Sequence, residues 1–176
     1  MDSTKESGAT FIKIWVPWIL MDKNSSFPVR PRAEDGYIVV PGKRTGGWHK
    51  YFVKNLDVVV REARKRNLEV VLGIHGPPAW PRGEDVCEYD LGTHHPCGII
   101  LQTHFEIFKN ALYDFSYYMA LRYPEIEYWI LYNEPNLPYA FLPQRPLPGG
   151  TLLNSYMELV YWPMKDGLYA SGNNIK

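Results

Sequence analysis

Three short apolar runs stand out when hydrophobic and polar positions are followed along the chain. They cover residues 11–16, 68–74 and 126–132, and each is rich in β-branched and aromatic residues. This composition predicts β-strands. The run at 68–74 is unbroken rather than alternating, which is typical of a strand buried on both faces of a parallel sheet.

Other segments carry apolar residues at helical spacing. They predict helices at 48–67, at about 102–122 and at about 151–170. Asn67 is a candidate C-terminal cap of the first helix. Pro163 should kink or reset the last helix, because proline has no backbone N–H to donate.

The order strand, loop, helix occurs three times and predicts an α/β fold with a parallel sheet and right-handed crossovers. The long loops all follow strands, while the connections from helix to strand are short. In such folds ligand sites lie at the carboxyl ends of the strands, where the long loops gather. The three predicted strands end in the segments "WVPW", "HGPPAW" and "YNEPN".

Composition narrows the class of protein. The chain has 176 residues, of which 45% are hydrophobic, and this fits one domain over residues 1–176 with its own core. A formal net charge of +0 predicts no nucleic-acid partner. No long apolar stretch or signal-peptide pattern occurs, so we predict no membrane partner. The 13 Tyr and 6 Trp either pack in the core or stack on flat ligands such as sugars.

Two cysteines, Cys87 and Cys97, lie in the loop-like segment "CEYDLGTHHPC". They form a local disulfide, remain thiols, or bind a metal together with His94 and His95. The spacing matches none of the common zinc patterns, and we therefore predict no metal and no cofactor.

Glu134 ends the third apolar run, where an unpaired carboxylate is costly to desolvate. It belongs to the tripeptide Asn133-Glu134-Pro135. Together with "HGPPAW" and "IKIWVPW", this tripeptide resembles the strand ends of clan A glycoside hydrolases, the retaining (β/α)8-barrel glycosidases, and most of all the cellulase-like family 5 and the xylosidase-like family 39. The stretch "LDVVVREARKRNLEVVLGIHG" is similar to the second helix and third strand of that clan.

The resemblance covers nearly the whole chain and implies a partial TIM (β/α)8 barrel of about three parallel βα units. It implies retaining hydrolysis of a β-linked poly- or oligosaccharide, with Glu134 as general acid/base and Asn133 bonded to the sugar 2-hydroxyl. His75, Trp80 and Trp18 line the sugar site in this interpretation. Aromatic and proline neighbours should raise the pKa of Glu134 by desolvation, so that it holds its proton near neutral pH.

Each of these residues also has a structural interpretation. Glu134 can cap a helix or pair with a basic residue, His75 can be a hydrogen-bonded structural histidine, and Trp18 can belong to the core.

Two departures from the family pattern bear on activity. Lys13 stands where the clan has an arginine that helps to hold the nucleophile, and lysine lacks its bidentate fork. A complete barrel needs eight strands and about 200 to 250 residues, whereas this sequence predicts three strands without the one that carries the nucleophile. We therefore expect the isolated chain to self-associate, to join a partner that supplies the missing strands, or to be part of a longer polypeptide.

The sequence thus predicts a glycosidase-like domain whose substrate is a carbohydrate. This domain is expected to be incomplete as an isolated chain. The alternatives are a non-catalytic carbohydrate-binding remnant and an assembly fragment of a glycosidase. Zinc hydrolysis lacks three convergent ligands, and nucleotide binding lacks a glycine-rich phosphate loop.

Overall fold

The computed structural model describes residues 6–17, 37–38, 48–75, 99–100, 105–132, 142–143 and 151–176. Within them, the strands are β1 (Phe11–Pro17), β2 (Tyr37–Ile38), β3 (Trp48–His49), β4 (Glu69–His75), β5 (Ile99–Ile100), β6 (Tyr128–Ile130) and β7 (Leu142–Pro143). The helices are α1 (Lys50–Lys65), α2 (Phe105–Arg122), α3 (Leu152–Tyr156) and α4 (Trp162–Ala170), and a π-helical turn, Met157–Tyr161, joins α3 to α4.

Three parallel strands form the main sheet, in the order β1-β4-β6. β1 pairs with β4 along its whole length, and β6 pairs with the other side of β4. The α/β class and the parallel arrangement of the three predicted strands are therefore confirmed. β6 is shorter than the apolar run 126–132, because Ile126 is held in a turn by its N–H bond to the Tyr123 carbonyl and Tyr132 leaves the extended conformation.

Three of the four strands in two short ladders lie in segments that the sequence predicts as loops, and the fourth, β3, takes the first two residues of the helix predicted at 48–67. β2 pairs antiparallel with β3, and β5 pairs in parallel with β7. Each strand has two residues, which is too few to show a periodic pattern in the sequence.

One face of the main sheet packs against the helices and forms the core. α1 contributes Leu56, Val60 and Ala63, as its helical spacing predicts. α2 is buried around most of its circumference, because it also packs against α4. The buried residues of the sheet on this face are Val16, Val70, Leu72, Ile74 and Trp129.

The opposite face of the main sheet remains partly open to solvent. Phe11 is 56% exposed, and Lys13, Glu69 and Tyr128 are also exposed. Parallel sheets are normally covered on both faces, so this exposure is unusual. We call it the open sheet face, and the strand register assigns to it Phe11, Lys13, Trp15, Glu69, Val71, Tyr128 and Ile130.

The end of α1 confirms the predicted cap at Asn67. This residue has φ 55°, its N–H bonds the Arg64 carbonyl at 2.9 Å, and the N–H of Leu68 bonds the Ala63 carbonyl at 3.1 Å. These two bonds form a Schellman motif, in which asparagine tolerates the left-handed conformation better than most residues.

Pro163 resets the last helix, as predicted. It occupies the first turn of α4, where the missing N–H costs little. The π-helical turn lies directly before it, so the helical path continues from α3 with a local change in its hydrogen bonding. Thr151 caps α3 by accepting a bond from the Asn154 N–H at 3.3 Å.

Candidate functional site

The strand register brings the chemically important segments to one edge of the main sheet. Pro17 of β1 lies opposite His75 of β4, and β6 ends at Ile130 opposite Gly73. Trp18 follows Pro17 directly in the chain, and Asn133 comes three residues after Ile130. The backbones that lead into all three predicted motifs therefore leave the sheet at its carboxyl edge.

Most of the predicted site residues lie outside the described residues. These are Asn133, Glu134, Trp80 and Trp18. His75 is described as the last residue of β4, but only for its backbone. The roles of all five residues stay predictions, and so does the raised pKa of Glu134.

Tyr132, the residue before Asn133, has a backbone conformation that is rare for a bulky side chain. Its φ is 72°, and its N–H bonds the Ile130 carbonyl at 3.0 Å. Its side chain is buried. Such conformations cost of order 1–3 kcal/mol and concentrate at functional sites, where the surrounding structure holds them. The strand tip that carries Asn133-Glu134 therefore begins with a strained turn.

Tyr156 of α3 holds this tip from the other side. Its hydroxyl donates to the Leu131 carbonyl at 2.8 Å across 25 residues of chain. Burial raises the pKa of Tyr156, with a smaller contribution from Tyr161, so the hydroxyl stays a neutral donor. Nothing in the sequence around Tyr156 indicates this contact, because it depends on where α3 packs.

An aromatic ring lies over the sheet just before its carboxyl edge. The half-buried Trp15 covers Gly73 so closely that a Cβ at this glycine would overlap the ring. Lys13 Nζ lies 4.7 Å from the centroid of the same ring, within the range of a cation–π contact. Lys13 thus lies on the open sheet face against Trp15. The family resemblance places Lys13 at the position of an arginine that helps to hold the nucleophile, and this assignment stays a prediction.

The β5–β7 ladder joins two segments that follow neighbouring strands of the main sheet. β5 lies between β4 and α2, and β7 lies between β6 and α3. The chain between β4 and α2 and the chain between β6 and α3 therefore pair with each other at these two residues each.

A polar cleft lies at the opposite, amino-terminal ends of β4 and β6. Its lining includes Arg64, Glu69, Glu125 and Glu127. Glu127 is already paired with Lys176 Nζ at 2.5 Å, and this pairing lowers the pKa of Glu127. Within the described ranges, no group of three or more His, Cys, Asp or Glu is placed to hold a metal ion. Cys87, His94, His95 and Cys97 lie outside those ranges.

No protein-family model, curated protein or solved structure matches the chain. In the part of the chain that the structure describes, no helix has both the length and the apolar character needed to span a membrane.

Proposed function

We propose that the protein is a retaining glycosidase domain that forms part of a (β/α)8 barrel. It acts on a β-linked poly- or oligosaccharide. Glu134 is the general acid/base of this proposal. The main support for this proposal is the register of the main sheet. The three strands that lead into the motifs all end at the same carboxyl edge. In parallel α/β folds this edge is where ligands bind.

The roles of the residues follow from the chemistry of a retaining glycosidase. One carboxyl group protonates the leaving oxygen and later activates water, and a second carboxylate attacks the anomeric carbon. Glu134 takes the first role, and Asn133 donates to the sugar 2-hydroxyl. His75, Trp80 and Trp18 line the sugar. The proposal assigns no residue to the second carboxylate.

Two features of the strand tip support this assignment. The positive φ of Tyr132 lies directly before Asn133, and the Tyr156 hydroxyl ties the preceding carbonyl of Leu131. A strained backbone that is held by a long-range hydrogen bond restricts the direction of the chain that follows it. Acid/base catalysis needs a catalytic group that is positioned in this way.

Replacement of Glu134 by glutamine tests the proposal. In an assembly or longer polypeptide that supplies the missing strands and their nucleophile, Glu134→Gln should lower kcat/KM by at least about 100-fold on a β-glycoside with a poor leaving group, because an amide cannot donate the proton. The loss should be much smaller on a dinitrophenyl β-glycoside, whose leaving group needs no proton. Saccharide affinity, measured by calorimetry, should stay nearly unchanged.

Glu125→Gln is the matched control, because Glu125 is an exposed glutamate at the other end of the sheet. It should behave as the wild type on both substrates. An equal loss on both substrates would refute the acid/base role of Glu134. Saccharide binding without turnover of either substrate, even when the missing strands are supplied, would favour the non-catalytic carbohydrate-binding alternative.

A second proposal concerns assembly through the open sheet face. We propose that a second copy of the chain covers it. Within the described residues, the face carries aromatic residues together with Lys13 and Glu69 on neighbouring strands, and Lys176 Nζ lies 5.2 Å from the centroid of the Tyr128 ring. Opposite charges on the same patch are self-complementary about a two-fold axis, so each lysine can meet the glutamate of the other copy.

A further inference from the structure

The outer edge of β6 is the side of this strand that faces away from β4. Within the described residues the main sheet has the order β1-β4-β6, so β6 is its last strand. The backbone N–H and C=O groups of a last strand can pair with a further strand, and proteins rarely leave such an edge uncovered. At the start of this edge, the Glu127 carbonyl accepts from the Lys176 N–H at 2.6 Å. The segment after α4 therefore reaches the outer edge of β6.

This bond has the pattern of a parallel ladder. Where the β1–β4 ladder begins, the Glu69 N–H bonds the Thr10 carbonyl at 2.9 Å, and Glu69 pairs with the next residue, Phe11. By the same rule, Lys176 pairs with Tyr128. A side-chain contact agrees with this register, because Lys176 Nζ lies 5.2 Å from the centroid of the Tyr128 ring and paired residues on one face of a sheet touch each other.

Residues 173–176 also have the alternating burial of a strand. Asn173 and Ile175 are partly buried, whereas Asn174 and Lys176 are exposed. Ile175 packs against the core. Alternation with a period of two residues is typical of a strand that has one face on a core. The segment therefore presents its side chains to the two faces of the sheet as a strand beside β6 would.

We propose that the outer edge of β6 binds a fourth parallel strand, which starts at Lys176 and is supplied by the segment that follows it in a longer polypeptide. Backbone groups of successive residues point to alternate edges of a strand, so Trp129 and Leu131 present their N–H groups on this side. The Leu131 carbonyl already accepts from the Tyr156 hydroxyl. The fourth strand thus bonds the Leu131 N–H, ends at that level, and is as short as β6 itself.

The position of Lys176 identifies the source of this strand. Lys176 fills the first pairing position at the edge, so a strand from a separate polypeptide would have to begin against its backbone carbonyl. A segment joined to Lys176 meets no such obstacle, and its high effective concentration favours pairing. The pairing uses backbone groups at a sheet edge and depends neither on Glu134 nor on the proposed hydrolysis.

Intact mass and hydrogen exchange of the native polypeptide test this inference. Its mass should exceed 20.4 kDa, the mass of residues 1–176. The Leu131 amide should exchange at least about tenfold more slowly in this longer polypeptide than in residues 1–176 alone. The Ile130 amide is the internal control, because it points to β4 and should change little.

Two variants of Lys176 in the longer polypeptide test the register. Lys176→Pro removes the N–H that bonds Glu127 and should accelerate exchange at the Leu131 amide at least about tenfold. Lys176→Ala is the matched control, because it keeps this N–H and loses only the amine, and its exchange should stay within about twofold of the wild type.

Four outcomes would overturn the inference. The first is a native mass of 20.4 kDa, because no following segment would then exist. The others are equal exchange at Leu131 in both lengths of chain, protection that survives Lys176→Pro, and protection that appears only when a separate polypeptide is added.

Discussion

Tyr132 and Asn67 both adopt a positive φ, but for different physical reasons. Asn67 ends a helix, is exposed, and belongs to a residue type that tolerates this conformation. Tyr132 is bulky and buried, and the local sequence does not favour its conformation. Tertiary contacts must therefore hold Tyr132 in place, and the bond from the Tyr156 hydroxyl to Leu131 is one of them.

Loss of the Tyr156 hydroxyl should loosen this strand tip. Tyr156→Phe leaves the Leu131 carbonyl without its donor and should lower the free energy of unfolding by about 1 kcal/mol. Hydrogen exchange should accelerate more at the Tyr132 amide than at the Leu72 amide in the centre of the sheet. When the missing strands and their nucleophile are supplied, the proposed function predicts that kcat falls while KM changes little.

The control for Tyr156→Phe is Tyr169→Phe, which removes an exposed hydroxyl. It should leave stability and exchange unchanged. An equal acceleration of exchange at Leu72 and Tyr132 would mean that Tyr156 supports the fold in general rather than the strand tip.

At the scale of elements, a charged cluster joins α1 to α2. Arg122 donates to both carboxylate oxygens of Asp57, at 2.8 and 2.5 Å, and the Tyr123 hydroxyl donates to one of them at 2.8 Å. Burial by itself would raise the pKa of Asp57, but the bonds from Arg122 and Tyr123 outweigh it and hold this pKa below its ordinary value of 3.8. The cluster links residues about 65 positions apart.

This cluster should make part of the stability depend on pH. Because the pKa of Asp57 is lower in the folded state, its contribution is present above pH 3.8 and is lost as the pH falls through the folded-state value. Asp57→Asn should therefore lower the free energy of unfolding by about 1 kcal/mol at pH 7, a value that allows for the partial exposure of the pair. Urea denaturation should show this difference shrinking as the pH falls below 3.8.

Glu106→Gln is the control for a lost surface ion pair. Glu106 pairs with Lys109 at 2.7 Å inside α2, and its carboxylate is mostly exposed. This change should cost less than about 0.5 kcal/mol. A difference between wild type and Asp57→Asn that stays constant from pH 7 to about pH 2 would contradict the role of the charged form.

At the scale of the whole molecule, the sheet is buried on one side and partly open on the other. Apolar burial drives association, and aromatic residues on an open face add to it. The proposed second copy would cover Phe11 and Tyr128, which are exposed in the single chain.

Sedimentation velocity should detect this assembly. The wild type should sediment as a dimer at micromolar concentrations, and Phe11→Asp should shift it to the monomer, because a charge would be buried in the interface. Val58→Asp is the control, since Val58 is an exposed apolar residue on α1. A wild type that remains monomeric, or dissociation by both variants, would contradict the proposed interface.

Much of the architecture was predictable from the sequence, because it depends on local periodicity. Apolar runs located the three strands of the main sheet, and helical spacing located α1 and α2. Asn67 and Pro163 act through their own backbone chemistry, so their effects on the helices could also be predicted. For the candidate site, the structure describes only the strands that lead into the three motifs, so the site residues themselves stay predictions.

Other features were decided only by the tertiary structure. The pairing of β5 with β7, the contact of Trp15 with Gly73, and the bond from Tyr156 to Leu131 join residues that are distant in the chain. Local periodicity carries no information on such pairs, since each depends on the positions of whole elements. The sequence by itself determined the three strands of the main sheet and the segments that become helices, because these depend on local periodicity. The packing of those elements decided which side chains meet and how the strand tip before Glu134 is held.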